Sequence, residues 1–273
     1  MSEPFAVALR FSTAVAVFLA LAAWEARRPR RRDGPPRRRR WPANLGLAAV
    51  DIGLLRLLPW LAPLAAAEWA AAHGWGVLPW LGVGGPAAAL LTLVALDGAL
   101  WLQHRALHAW APLWRLHQVH HADPALDVSS GLRFHPLEIL LSAAYKSGWV
   151  LVLGAGPAVV LLFEALLNLA SLFTHANVVL PPRCDRRLRR LLVTPDMHRI
   201  HHSQRPDETD SNFGFFLSVW DRLFGTYRAR ARRLQSRIAI GLARWPDQRQ
   251  NSALLALLAM PWRAPGRDRG RLL

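Results

Sequence analysis

The apolar residues of this chain are gathered into five blocks, and blocks of this length constrain the fold more than any other feature. Residues 5–24, 45–72, 77–103, 137–153 and 157–173 approach or exceed the roughly 20 residues a helix needs to cross a bilayer. The second block is interrupted by Asp51, Arg56, Pro59, Pro63 and Glu68, and the third by Gly84-Gly85-Pro86. Gly154-Ala155-Gly156 separates the last two into a hairpin. No strand pattern of any length and no internal repeat accompany them. The pattern predicts an all-α, polytopic integral membrane protein with four or five transmembrane helices. A signal peptide would compete for the first block, but Arg10 interrupts it and the arginine run follows it instead of preceding it.

The formal net charge is +16, and Lys146 is the only lysine, so the charge is carried by arginine. Residues 27–40 read RRPRRRDGPPRRRR. Such a run can bind nucleic acid, but between two apolar spans it fits the positive-inside rule better, with anionic headgroups as counter-charge. No nucleic-acid partner is therefore expected. With this loop on the cytoplasmic side, the second span exits, the third returns and ends at Gln103, and the last two form a hairpin ending near His175. His73 falls at the opposite face.

That topology matters because of the histidines. Eight of the eleven lie in three short clusters: His104 and His108, then His117, His120 and His121, then His198, His201 and His202. Residues three and four apart share a helix face, so each cluster forms a claw of imidazoles. All three claws, with His135 and His175, fall on the same predicted side of the membrane. Eight imidazoles exceed the ligand shell of one ion, which points to two. Imidazole suits zinc, copper, iron and nickel alike. Cys184 is the only cysteine, which excludes an intramolecular disulfide and a multi-cysteine zinc site.

Two polar stripes run through the spans. Asp97, Trp101, His104 and His108 share one helix face, and Glu164, Asn168, Ser171 and His175 share another. Asp97 and Glu164 are expected either to accept the second N–H of metal-bound histidines or to make polar contacts between helices. Residues 1–95 read as membrane anchor helices with the basic loop, 96–230 as the chemical region, and 231–273 as a basic tail. Within the tail, residues 251–260 predict a short apolar helix ended by Pro261, too short to span and placed either on the membrane surface or over the site.

The order HxxxH, HxxHH, HxxHH on a polytopic chain resembles the fatty acid hydroxylase/sterol desaturase superfamily. Phe134-His135-Pro136-Leu137-Glu138 is similar to its FHPxE segment, and His175-Ala176-Asn177 to its intermediate H-x-N element. Asn212-Phe213-Gly214 and Trp220 to Thr226 resemble its NYG and WDxxFGT segments, with Phe213 in the tyrosine place. The resemblance covers roughly residues 90–230.

It implies two iron ions at the cytoplasmic face, O2 as co-substrate, and oxidation of a lipid C–H bond. By position it makes His104, His108, His117, His120, His121, His198, His201 and His202 ligands, His175 a ninth, and His135 one that only part of the superfamily has. No protein general base is expected. Proton delivery would use water near the metals, with Asp123 or Asp127 assisting or serving only as turn residues. Trp101, Trp110, Trp114, Leu113 and Leu116 either line a lipid path or simply pack. No flavin or haem motif is present, so electrons would come from a separate reductase, ferredoxin or cytochrome b5-like donor, for which the arginines of 183–190 and 228–233 offer a basic face. Two other classes compete: a zinc-dependent membrane hydrolase, disfavoured because Arg105 stands where HExxH has its glutamate, and a redox-silent metal-binding protein.

Overall fold

The computed structural model describes residues 3–245 and 250–263, with side chains from Ser12 onward, except Gln250. Every regular element among them is helical, and only isolated bridges such as Leu192 to Leu217 represent β-structure. In chain order the helices are α1 (Glu3–Arg27), α2 (Arg37–Leu57), α3 (Pro63–His73), α4 (Val77–Trp80), α5 (Gly85–Ala109), α6 (Ala111–His121), α7 (Pro136–Leu153), α8 (Pro157–His175), α9 (Pro182–Leu188), α10 (Pro195–His201), α11 (Pro206–Thr209), α12 (Val219–Leu223) and α13 (Leu254–Arg263).

Among the described residues, α5, α7 and α8 are long and apolar enough to cross a membrane. Their ends follow from local chemistry. Pro136 and Pro157 open α7 and α8, where a missing N–H costs nothing. Gly154 closes α7 in the left-handed conformation, at φ 70°.

The second apolar block is not one straight span. Pro59 and Pro63 cannot continue an α-helical ladder, so α2 stops at Leu57, a 3₁₀ turn follows at Pro59–Leu61, and α3 begins at Pro63. Ser147 of α7 donates to the carbonyl of Leu61 at 2.8 Å, which satisfies backbone freed by the break. The third block is also divided. Gly82 and Gly85 take positive φ, and α4 is separated from α5.

The direction of travel survives these breaks. Arg40 near the start of α2 reaches Asp123 and Asp127, beside the histidine claws. Gly76, just beyond α3, lies against Gly154 in the α7–α8 turn, so close that a Cβ would meet its backbone at 2.2 Å. The α2–α3 pair therefore runs from the histidine end to the far end, and α5 returns. Leu96, Leu100, Val150, Val160 and Phe163 fill the core between α3, α5, α7 and α8.

The arginine run also has a role inside the protein. Much of its counter-charge comes from the protein itself. Arg30 binds Asp196 through two bonds of 3.1 and 3.0 Å, Arg37 binds Glu25 at 2.7 Å, and Arg40 is buried between Asp123 and Asp127. The loop is thus a clamp over the histidine end. The tail helix α13 packs Leu257 and Met260 against Leu47 of α2 and Val119 of α6, covering the claws from one side. It begins at Leu254 and runs through Pro261 to Arg263, slightly past the expected stop.

Candidate metal centre

Four helices converge at one end of the bundle. The last turns of α5 carry His104 and His108. Pro112 restarts the chain as α6, which carries His117, His120 and His121. His175 is the final residue of α8, and α10 contributes His198 and His201, with His202 directly after it. All nine are buried.

They sort into two groups. His104, His108, His117, His121 and His201 form one, and His120, His175, His198 and His202 the other; within each, the ligand atoms lie within 4.8 Å of one another. The groups abut, since the His121 and His202 rings stack at 4.5 Å.

The hydrogen bonds decide what the rings can do. Nδ1 of His104 lies 2.7 Å from the Phe213 carbonyl, and Nδ1 of His117 lies 2.7 Å from the Glu138 carboxylate. Nδ1 of His120 faces the Arg133 carbonyl at 3.1 Å, and Nδ1 of His175 faces that of Ser171 at 2.7 Å. A carbonyl or carboxylate oxygen accepts only, so each Nδ1 must carry the proton. Each Nε2 is then a bare lone pair. Yet Nε2 of His104 and His117 stand 3.1 Å apart, and those of His120 and His175 3.0 Å apart. Lone pairs at that distance, buried from water, repel unless a cation lies among them. The donor set therefore fits metal ions, one per group.

Burial, reinforced by neighbouring imidazoles, holds the pKa values of His120, His121, His198 and His202 well below the ordinary histidine value. These rings are neutral at pH 7, the form that ligates.

Residues 89–226 match the family model described as fatty acid hydroxylase, just over half of the chain. The chain belongs to this family. Over 181 residues it is 33% identical to the ornithine lipid hydroxylase OlsE of Rhizobium tropici, which covers 65% of this chain and 51% of that protein. Over 191 residues it is 27% identical to alkylglycerol monooxygenase of Xenopus tropicalis, which covers 67% of this chain and 41% of that protein. The chain thus spans about half the length of these curated relatives, or less. No solved structure matches it.

The fatty acid hydroxylase segments recognised in the sequence supply the surroundings of the claws. Glu138 orients His117, a role that no spacing reveals, because the two are 21 residues apart. Asn212 sits at φ 55°; its Nδ2 donates to the carbonyls of Met197 and Arg228, and its Oδ1 accepts the Arg228 amide. Asp221 accepts from Trp101 Nε1, the Phe213 and Gly214 amides and the Thr226 hydroxyl, and so fixes the carbonyl that orients His104. Replacing Glu138 by Gln is expected to weaken metal binding or turnover by about 10–100-fold, as changes next to a ligand do. Metal content under chelator competition measures it.

Several expected residues lie elsewhere. His135 is buried outside both groups: its Nδ1 accepts the Leu137 amide at 3.2 Å, and its Nε2 lies 3.1 Å from the Leu258 carbonyl. It caps α7 and ties α13 to it. Asp97 and Glu164 make the second of their two expected contacts, polar bonds between helices. Asp97 accepts from Trp220 and Leu217, and Glu164 pairs with Lys146 at 3.0 Å. Asp123 and Asp127 hold Arg40 and the Ser129–Ser130 turn, a structural task. Trp101 packs on Phe224 and Trp114 on His108 and His121, while Trp110 is exposed.

Proposed function

We propose that this chain is a membrane-bound di-iron oxygenase that uses O2 and two electrons to hydroxylate or desaturate a C–H bond of a lipid. The observation that carries this reading is the set of facing, proton-free Nε2 atoms in two buried groups. His104, His108, His117, His121 and His201 would hold one ion, and His120, His175, His198 and His202 the other. Two bound irons would supply the oxidising power that cleaving an unactivated C–H bond demands and that no side chain here offers. Neutral imidazoles leave such a pair more positively charged than carboxylates would.

The protein's part is to hold and to exclude. Glu138 and the backbone carbonyls keep the ring protons on Nδ1. Phe134 stacks flat on His120 with centroids 4.6 Å apart, and Trp114 and Phe213 press against the first group. This apolar wall keeps bulk water away from the ligands. The histidines stand at the end of α5, α8 and the α2–α3 pair, where a lipid can approach from the bilayer. Relatives named for ornithine lipid and alkylglycerol support a lipid substrate. The positive-inside rule favours the histidine end as cytoplasmic, in the inner or plasma membrane. Exposed Arg183, Arg186 and Arg187 on α9 suit an acidic electron donor of the ferredoxin or cytochrome b5-like kind, or a reductase.

The test is metal content of the detergent-purified chain, by elemental analysis and Mössbauer spectroscopy of an iron-57 sample, followed by oxygen uptake with a chemical reductant and membrane lipid. Two coupled irons per chain and lipid-dependent uptake are expected. Zinc alone, with no uptake after exchange to iron, would overturn the oxygenase reading in favour of a hydrolase or a silent metal protein.

A further inference from the structure

The segment that follows the last claw descends along α5 and comes back. It starts at Phe213, whose carbonyl meets His104. At Leu217 and Trp220 it has reached Asp97, bonded at 3.2 and 2.8 Å. Trp220 lies against Gly98, where even a Cβ would stand 3.0 Å from its ring. Phe224 stacks on Trp101 at 4.5 Å, and Thr226 is back beside Asp221. Asp97 is seven residues before His104, so the descent is about 10 Å along the helix axis.

That depth can be set against the bilayer. Exposed Trp75 and Trp80, just before α5, mark the far interface. A hydrocarbon core of about 30 Å takes about 20 helical residues from Gly85, which brings the near boundary to about residue 105. Arg105 is exposed there, its guanidinium 5.7 Å from the Trp101 ring. The Trp101–Phe224 stack lies one turn below this charge.

The segment has two properties such a position requires. Donors along its descent and return meet acceptors of the protein: Phe213 and Gly214 bond Asp221, Leu217 bonds Asp97, Ser218 the Leu191 carbonyl, Phe224 the Trp220 carbonyl, and Thr226 and Tyr227 the Asp221 carbonyl. It presents large apolar side chains outward, with Leu223 70% and Phe224 52% exposed, and Leu191, whose carbonyl bonds the Ser218 amide, is 64% exposed. Exposed Arg222 and Arg190 adjoin these apolar residues in the chain; the Arg222 guanidinium donates to the Arg189 carbonyl at 2.8 Å and lies 3.7 Å from the Tyr227 ring centroid.

We propose that residues 213–227 form a re-entrant element that enters the membrane from the histidine side, with Leu223 and Phe224 against lipid acyl chains and Arg222 and Arg190 at anionic headgroups. The partner of this surface is the bilayer itself. A soluble protein partner is the competing occupant.

The experiment uses the full chain in nanodiscs of phosphatidylcholine and phosphatidylglycerol, in a Cys184→Ser background. A single cysteine at Leu223→Cys, and separately at Leu191→Cys, carries a fluorophore, with exposed Arg233→Cys as the aqueous reference. Lipid-borne nitroxide quenchers are expected to extinguish the labels at 223 and 191 more strongly than a water-soluble quencher does, with the order reversed at 233. Labels at both 223 and 191 that behave like the one at 233 would overturn the proposal and mark the patch as a protein-docking face. The readout involves neither metal nor turnover, so its failure is separate from failure of the oxygenase reading.

Discussion

Replacing His120 by alanine is expected to strip metal from the second group and abolish turnover, while replacing His135 by alanine leaves metal content intact. The two residues are 15 positions apart, both buried, and both histidine, so the contrast isolates geometry from composition. His120 is one of only four nitrogens in its group, and its Nε2 meets that of His175 at 3.0 Å. Its loss leaves three ligands and an opening beside Phe134. The fall in affinity should exceed the about 10–100-fold that accompanies changes to residues merely supporting a ligand. His135 spends both ring nitrogens on the backbone of Leu137 and Leu258. Its alanine variant loses a helix cap and the tie to α13, at a cost of about 0.5–2 kcal/mol for the cap. Iron per chain, measured for both variants extracted from the membrane fraction, separates the two. Full metal and activity in His120→Ala would show that the second group is not a site.

What could be seen in the sequence follows the range of the interactions. The claws were legible because ligands three and four residues apart on a helix share a face, and that spacing is local. His175 stands alone in the chain and entered only through the resemblance of its H-x-N element. Glu138 lay in a recognised segment, but its task depends on α7 passing His117, which no local pattern encodes. Which of its two expected contacts Asp97 makes was closed to the sequence for a related reason. It shares a helix face with His104, yet seven residues along a helix is about 10 Å, too far for a hydrogen bond, and Trp220 takes it instead. The second apolar block carried its own breaks in Pro59 and Pro63. They were visible, but only the carbonyl of Leu61 bonded to Ser147 shows how a broken helix is tolerated at that depth. Charge was the least legible property. An arginine run looks the same whether lipid or protein neutralises it, because its acidic partners lie up to 166 residues away.

Arg40 carries the sharpest consequence of that difference. Replacing it by leucine is expected to destabilise the whole histidine end, by about 3–5 kcal/mol, the cost of leaving buried charge without its partner. Its guanidinium is 2% exposed with its residue, and its Nη1 bonds both oxygens of Asp123 at 2.9 Å and the Ala125 carbonyl at 2.5 Å, while Nη2 meets Asp127. Burial by itself would raise the pKa of Asp123; Arg40, then Arg133 and the Ser130 hydroxyl, outweigh it and hold the carboxyl below its ordinary value. Asp123 in turn anchors Asn44 and Ser130, and Arg133 presents the carbonyl that orients His120. A lowered carboxylate pKa contributes stability above the unfolded value and loses it as pH falls through the folded one, so the wild-type clamp should hold near pH 7 and release in acid. In Arg40→Leu, Asp123 loses the largest influence that lowers it and should take up a proton at higher pH, which shifts the loss of stability towards neutrality. The companion variant Arg40→Leu with Asp123→Asn removes one orphaned charge and should recover part of the deficit. Thermal unfolding in detergent, followed across pH for the wild type and both variants, reads this directly. If Arg40→Leu unfolds like the wild type near pH 7, the arginine faces lipid or water, and the loop is the plain positive-inside signal that its composition suggested.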